Sequence, residues 1–103
     1  MNIIIQTINF RISSALKSFI YEKIGKLYRQ NGTIENASVI LRKDNEGGNA
    51  SRSCEIKLAV PGNDPIVKKN SKVYEKSISQ AVDALQNILL RKKSKQLAKR
   101  HSS

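Results

Sequence analysis

Between Ile88 and Ser103 the chain carries Arg91, Lys92, Lys93, Lys95, Lys99 and Arg100 and no acidic residue. These are the residues whose type and spacing most clearly point to a chemistry. They continue the C-terminal end of an amphipathic helical pattern, so the rod they belong to turns basic at its exit. Such a rod can lie along a polyphosphate, and the counterions it displaces supply most of the sequence-independent affinity for nucleic acid. The whole chain agrees, with 19 Lys and Arg against 8 Asp and Glu and a net charge of +11 over 103 residues. An acidic membrane surface is the competing partner for that charge.

Other chemistries find little to work with. The one histidine, His101, falls in a polar tail with no fixed partner, which a general base needs within hydrogen-bond reach. The one cysteine, Cys54, points to the apolar side of a strand and reads as structural, because reactive thiols want exposed electropositive sites. A zinc site needs about four ligands, and one Cys and one terminal His do not supply them. Gly47-Gly48 stands in a hairpin rather than between a strand and a helix, so it is no phosphate loop. The carboxylates are scattered. No catalytic, metal or cofactor residues are assigned, the protein is read as non-enzymatic, and no small-molecule substrate is expected.

The elements that must carry the basic residues follow from periodicity. Residues 2–8 read as a strand rich in β-branched isoleucine. Ser13 and Ser14 offer a helix cap, and Leu16, Phe19, Ile20, Ile24 and Leu27 fall at helical spacing. Gly25 interrupts that helix at about 1 kcal/mol against Ala, and Asn31-Gly32 ends it with residues that tolerate left-handed geometry. Residues 36–43 and 53–60 alternate as strands, separated by turn material at 44–49. After Pro61-Gly62-Asn63-Asp64-Pro65, residues 66–69 form a short last strand. Ser71 is read as the cap of a second helix, with Glu75 in its first turn. Tyr74, Ile78, Ala81, Val82, Leu85, Ile88 and Leu89 make its apolar stripe.

The order β-α-β-β-β-α predicts an α+β fold, a four-stranded sheet with two helices packed on one face. The first strand, first helix and second strand form a parallel crossover, and the later strands an antiparallel meander. Length allows one domain with one core, assigned to 1–97, with 98–103 a basic polar tail expected to be disordered. No signal peptide or membrane span is visible, and a single cysteine suits a reducing cytoplasm.

Two placements sharpen the functional reading. Arg91 and Lys95 share a helix face, with Lys92 on the stripe itself one turn beyond Leu89. Ser77 and Ala84 precede Arg91 at seven-residue steps and are expected to leave a low surface for a phosphate backbone. On the first helix, which also carries Lys17, Lys26 and Arg29, Lys23 lies inside the apolar arc between Phe19 and Leu27. Either its stem snorkels along the core, or the arc borders a groove between the helices that Lys23 lines with Arg91 and Lys95. Tyr21, Tyr28 and Tyr74 are not arranged like the stacking pairs of single-strand RNA readers.

Several segments together resemble the short ribosome hibernation promoting factors, also called ribosome-associated inhibitors or sigma modulation proteins. They are Glu55-Ile56-Lys57-Leu58-Ala59-Val60-Pro61-Gly62, Ser71-Lys72-Val73-Tyr74-Glu75, Ala81-Val82-Asp83-Ala84-Leu85 with Leu89, Arg91 and Lys95, and Ala15-Leu16-Lys17 through Lys23-Ile24-Gly25-Lys26-Leu27. The resemblance covers about residues 1–97. It implies a domain like a double-stranded-RNA-binding domain extended by one strand, seated in the messenger and tRNA channel of the small ribosomal subunit. There it contacts ribosomal RNA, blocks translation under stress and holds idle ribosomes, in many cases as dimers. Carried onto this sequence, the RNA-binding residues are Lys23, Lys26, Arg29, Arg91, Lys92 and Lys95. Gly25, the Tyr28-Arg29-Gln30-Asn31-Gly32 segment, Ile88 and Leu90 depart from the family pattern. A protein-contact regulator of a transcription (sigma) factor and a general double-stranded-RNA-binding module are the alternatives.

Overall fold

The computed structural model describes residues 2–44 and 51–101, with side chains described as far as Arg91. The elements are β1 (Ile3–Ile8), α1 (Ser14–Gln30), β2 (Asn36–Asp44), β3 (Ser51–Ala59), β4 (Ile66–Ser71) and α2 (Tyr74–His101). This is the order read from the sequence. The sheet has four strands in the order β1-β2-β3-β4. β1 and β2 pair in parallel, with Ile3 opposite Ala37. β2–β3 and β3–β4 are antiparallel.

Register turns alternation into one buried face. Ala37, Val39 and Leu41 stand opposite Leu58, Ile56 and Cys54, and all six are fully buried. Leu16, Ile20, Ile24 and Leu27 of α1 close over them, as do Tyr74, Ile78, Ala81, Val82, Leu85 and Leu89 of α2. Both helices therefore serve one core on one side of the sheet. Ile4, at the opposite phase of β1, is 61% exposed.

Helix and turn ends follow from local chemistry, with two corrections to the sequence reading. Ser13 caps α1, its hydroxyl accepting from the Leu16 N–H at 3.1 Å. The end of α1 is not left-handed: Asn31 has φ −138°, and the only glycine with positive φ among the described residues is Gly62. The Asn31 side chain does the capping instead. Its amide donates to the Leu27 carbonyl at 3.0 Å and to Gln86 Oε1 at 3.2 Å, so the side chain replaces the αL residue that a glycine ending provides. Ser71 is not the cap of α2, since it is the last residue of β4 and the helix begins at Tyr74. The Ser71 hydroxyl turns the chain into the helix, accepting from the Val73 N–H at 3.3 Å. Between β3 and β4, the Asn63 N–H donates to the Val60 carbonyl at 3.1 Å. With Pro61 second and Gly62 third at φ +87°, this is a type II turn, which asks for those residues in those places.

α2 is helical through His101, beyond residue 97 where the sequence reading ended the domain. At 1.5 Å per residue it is about 42 Å long, against about 30 Å for the longest strands. Leu89 is the last buried residue among the described side chains. Of the turn expected at 44–49, Asp44 belongs instead to β2, and 45–49 lie outside the described residues.

Candidate nucleic-acid interface

The charge is unevenly distributed. The two helices carry eleven Lys and Arg against three acids, and the remainder of the chain eight against five. Most of the +11 therefore belongs to the layer that covers the sheet. Lys17, Lys26, Arg29 and Arg91 are exposed. The side chains of Lys92 and Lys95 lie outside the described set, although their backbone is helical.

Lys23 is half-buried. Its Nζ lies 5.5 Å from the centroid of the Phe19 ring, within the range where a ring face attracts a cation. An arc position that looked costly for an ammonium thus has an aromatic face under it. Gly25, which costs helix propensity, is buried in the middle of α1.

The helices run in the same direction. β1 and β2 are parallel, so α1 must return antiparallel to both. Two antiparallel steps make β4 parallel to β2, and α2 returns over β3 and β4 in the same sense as α1. Three contacts fix the alignment. Phe10, before α1, stacks on Tyr74 at the start of α2 with ring centroids 4.5 Å apart. The Tyr28 hydroxyl near the end of α1 donates to the Asn2 carbonyl at 3.0 Å. Asn31 bonds Gln86.

This alignment corrects the single groove. Lys23 lies eight residues before Asn31, and Arg91 five residues beyond Gln86. Along the helix axes the two are about 20 Å apart. Phase separates them as well. Arg91 and Lys95 fall on the side of α2 that carries Ser77, and the Ser77 hydroxyl donates to the Arg52 carbonyl of β3 at 2.6 Å. Gln86, which faces α1, is on the other side. The structure thus brings Lys23 and Lys26 together on α1, away from the Tyr28 side, and places Arg91 on a separate stretch past the end of α1. Arg29 lies near that end, on the face turned from the core.

The low surface expected upstream of Arg91 is closed at Ser77, while Ala84 is half-buried. Ser77 is fully buried and its hydroxyl sits 2.7 Å from that of Ser71. A small residue there lets the helix sit close to the strands rather than admit a phosphate. Arg52, not singled out in the sequence, closes the same corner. It donates to the Lys72 carbonyl at 2.7 Å, and its guanidinium stands 5.8 Å from the Tyr74 ring centroid. Nothing in a strand sequence distinguishes such an Arg from a solvated one, because its partners come from a turn twenty residues on.

Cys54 is buried as expected. Burial, with a smaller push from Glu55, raises its thiol to about 12, far from a reactive thiolate. No cluster of three or more His, Cys, Asp or Glu among the described residues could hold a metal. No helix among them is long and apolar enough to cross a membrane.

Against known proteins, the family profile described as Sigma 54 modulation protein / S30EA ribosomal protein matches residues 3–97. The chain belongs to that family. The match spans every strand and α1 and ends inside α2. No curated protein matches the chain significantly. Among solved structures, a ribosomal subunit interface protein from Coxiella burnetii superposes with a TM-score of 0.81 at 18% identity, covering 91% of this chain and 99% of that one. The N-terminal domain of Protein Y from Thermus thermophilus superposes with a TM-score of 0.73 at 27% identity, covering 88% of this chain and 98% of that one. The Coxiella burnetii likeness shows the fold.

Proposed function

We propose that this chain is a non-enzymatic ribosome hibernation factor. It occupies the messenger and tRNA channel of the small ribosomal subunit through its helix layer and inhibits translation in idle cells. The observation that carries this reading is the charge partition: eleven basic residues against three acids on the helices that cover one face of the sheet. Family membership supports it, as do two similar structures whose names are a ribosomal subunit interface protein and Protein Y. Ribosomal RNA is the contacted phosphate, and the working place is the cytoplasm. Lys23, Lys26 and Arg29 act from α1, and Arg91, Lys92 and Lys95 from α2, as two basic patches rather than one groove. Holding ribosomes as dimers fits the same seat.

The test is a sucrose gradient of native ribosomes with the added chain, run over a salt series. The chain should travel with the small subunit, and log affinity should fall by about 0.7 to 0.9 per log salt for each phosphate contacted. With six side chains engaged, a slope flatter than about −2 counts against the electrostatic seat. The family description also speaks of sigma 54 modulation. A regulator acting by protein contact predicts no co-sedimentation at any salt. A general duplex binder predicts equal affinity for any RNA duplex, with no need of the assembled subunit.

A further inference from the structure

β1 is an edge strand, paired with β2 on one side and, among the described residues, with nothing on the other. The Ala37 N–H donates to the Asn2 carbonyl at 2.9 Å. With Ile3 opposite Ala37, that bond sets the ladder's phase: Ile4, Gln6 and Ile8 turn their backbone groups to β2. The N–H and C=O groups of Ile3, Ile5 and Thr7 point out of the sheet. Proteins usually guard such an edge with charge. The opposite edge, β4, is guarded by exposed Lys68 and Lys69. β1 is the one strand of the four with no charged residue, and it carries isoleucine on both faces. Two exposed apolar side chains flank it. Ile4 is 61% exposed on the face away from the helices, and Tyr21 is 38% exposed on α1, on the side that holds Tyr28 over β1.

We propose that β1 is a pairing edge for a second copy of this chain, the two β1 strands joining antiparallel into one continuous sheet. The argument for this occupant is self-complementarity. A two-fold axis through Ile5 sets Ile5 against Ile5, Ile3 against Thr7, and Ile4 against Gln6. Every outward donor and acceptor of one strand then meets its counterpart on the other, as an isologous contact requires. A polyphosphate or an acidic peptide needs several cations to receive it; β1 has none, and the adjoining side of α1 offers Lys17 alone. The uncharged strand with apolar residues on both faces that fits β1 is β1 itself. The helix layers allow it. If each α1 sits over its own β1–β2 pair, the two α1 helices lie about 10 Å apart, a normal packing distance.

Charge gives the association a signature. Two chains of +11 repel, so screening strengthens their contact. Binding to RNA weakens with salt, and this contact tightens with it.

The experiment is analytical sedimentation of the full chain, free of ribosomes and RNA, over a concentration series. Salt runs from about 0.1 M to 1 M, across which the screening length falls from about 10 Å to 3 Å. The expected result is a concentration-dependent dimer whose fraction rises with salt. Ile4→Lys should leave a monomer at every concentration with the melting temperature unchanged. If Ile4→Lys fails to fold, Gln6→Lys, at the exposed position opposite it, makes the same test. Register is read by mixing single variants. Ile4→Cys with Gln6→Cys should oxidise to a covalent heterodimer, since non-hydrogen-bonded partners lie about 4.5 Å apart at Cα. A wild-type monomer at the highest concentration and salt, or a dimer that persists in both Lys variants, overturns the proposal.

Discussion

The two helices carry positive charge over a shared core in different ways. α1 interleaves it. Lys17, Lys23, Lys26 and Arg29 alternate with Leu16, Ile20, Ile24 and Leu27 along one seventeen-residue helix, so its cations must share a short rod with its core contacts. α2 segregates it. Its first sixteen residues hold seven buried positions, from Tyr74 to Leu89, and a single basic residue, Lys76. The six basic residues of the C-terminal run follow. The difference lies in what each cation can be made to do. A charge past the last core contact answers only to solvent and partners. A charge beside the core also packs, as Lys23 does against Phe19, and its functional worth cannot be read apart from its structural one.

The largest expected effect tests the segregated end. Arg91→Glu with Lys95→Glu should abolish co-sedimentation with ribosomes and leave stability within about 0.5 kcal/mol, as surface changes usually do. The contrast lies two turns upstream, where Leu85 is fully buried. Leu85→Ala should cost about 2–5 kcal/mol through the cavity it leaves. If the double charge reversal still shuts down translation in vitro, the end of α2 is not the contact surface.

Lys23 tests the interleaved helix. Lys23→Met keeps the stem and removes the charge, so the fold should stay intact. Ribosome affinity should fall about 5- to 150-fold, the worth of one charge-assisted contact of about 1–3 kcal/mol. The separation of about 20 Å along the axes sharpens this. Combined with Arg91→Glu, the two losses should add within about 0.5 kcal/mol, as distant sites do. Strong coupling between them restores a single groove. Unchanged affinity in Lys23→Met leaves that ammonium to Phe19 alone.

The architecture was legible because strand alternation and helical spacing report burial directly. Ala37, Val39 and Leu41 show their face in the sequence, and the strand order follows from tight links at Pro61-Gly62. What sequence could not supply was phase and offset between elements far apart in the chain. Lys23 and Arg91 both stood on promising faces, yet their separation depends on Asn31 meeting Gln86, a contact between residues fifty-five apart. Ser77 misled for a related reason. A small residue on a helix face reads equally as an opening or as a close approach, and the strand that closes it is specified elsewhere.

The smallest effect tests what joins the beginnings of the two helices. Phe10 and Tyr74 stack there, and the Tyr74 hydroxyl is buried with no hydrogen-bond partner. Leaving such a group unpaired costs about 1–3 kcal/mol, so the ring must supply what holds Tyr74 in place. Tyr74→Phe keeps the ring and removes the orphan. It should raise stability by about 1 kcal/mol in denaturant unfolding, with ribosome affinity unchanged because both basic patches stay where they are. The pH dependence gives a second readout. Burial raises the phenol above its ordinary 10.0; the Arg52 guanidinium pulls it partly back and Asp44 adds to the rise. A folded-state value above the unfolded one contributes stability that is intact below pH 10 and is lost as pH rises through the folded value. Wild type should therefore weaken faster than Tyr74→Phe above pH 10, while the slope that both inherit from Cys54 cancels in the comparison. A Tyr74→Phe chain less stable at neutral pH means that the hydroxyl, and not the stacked ring, is what pins the two helix starts together.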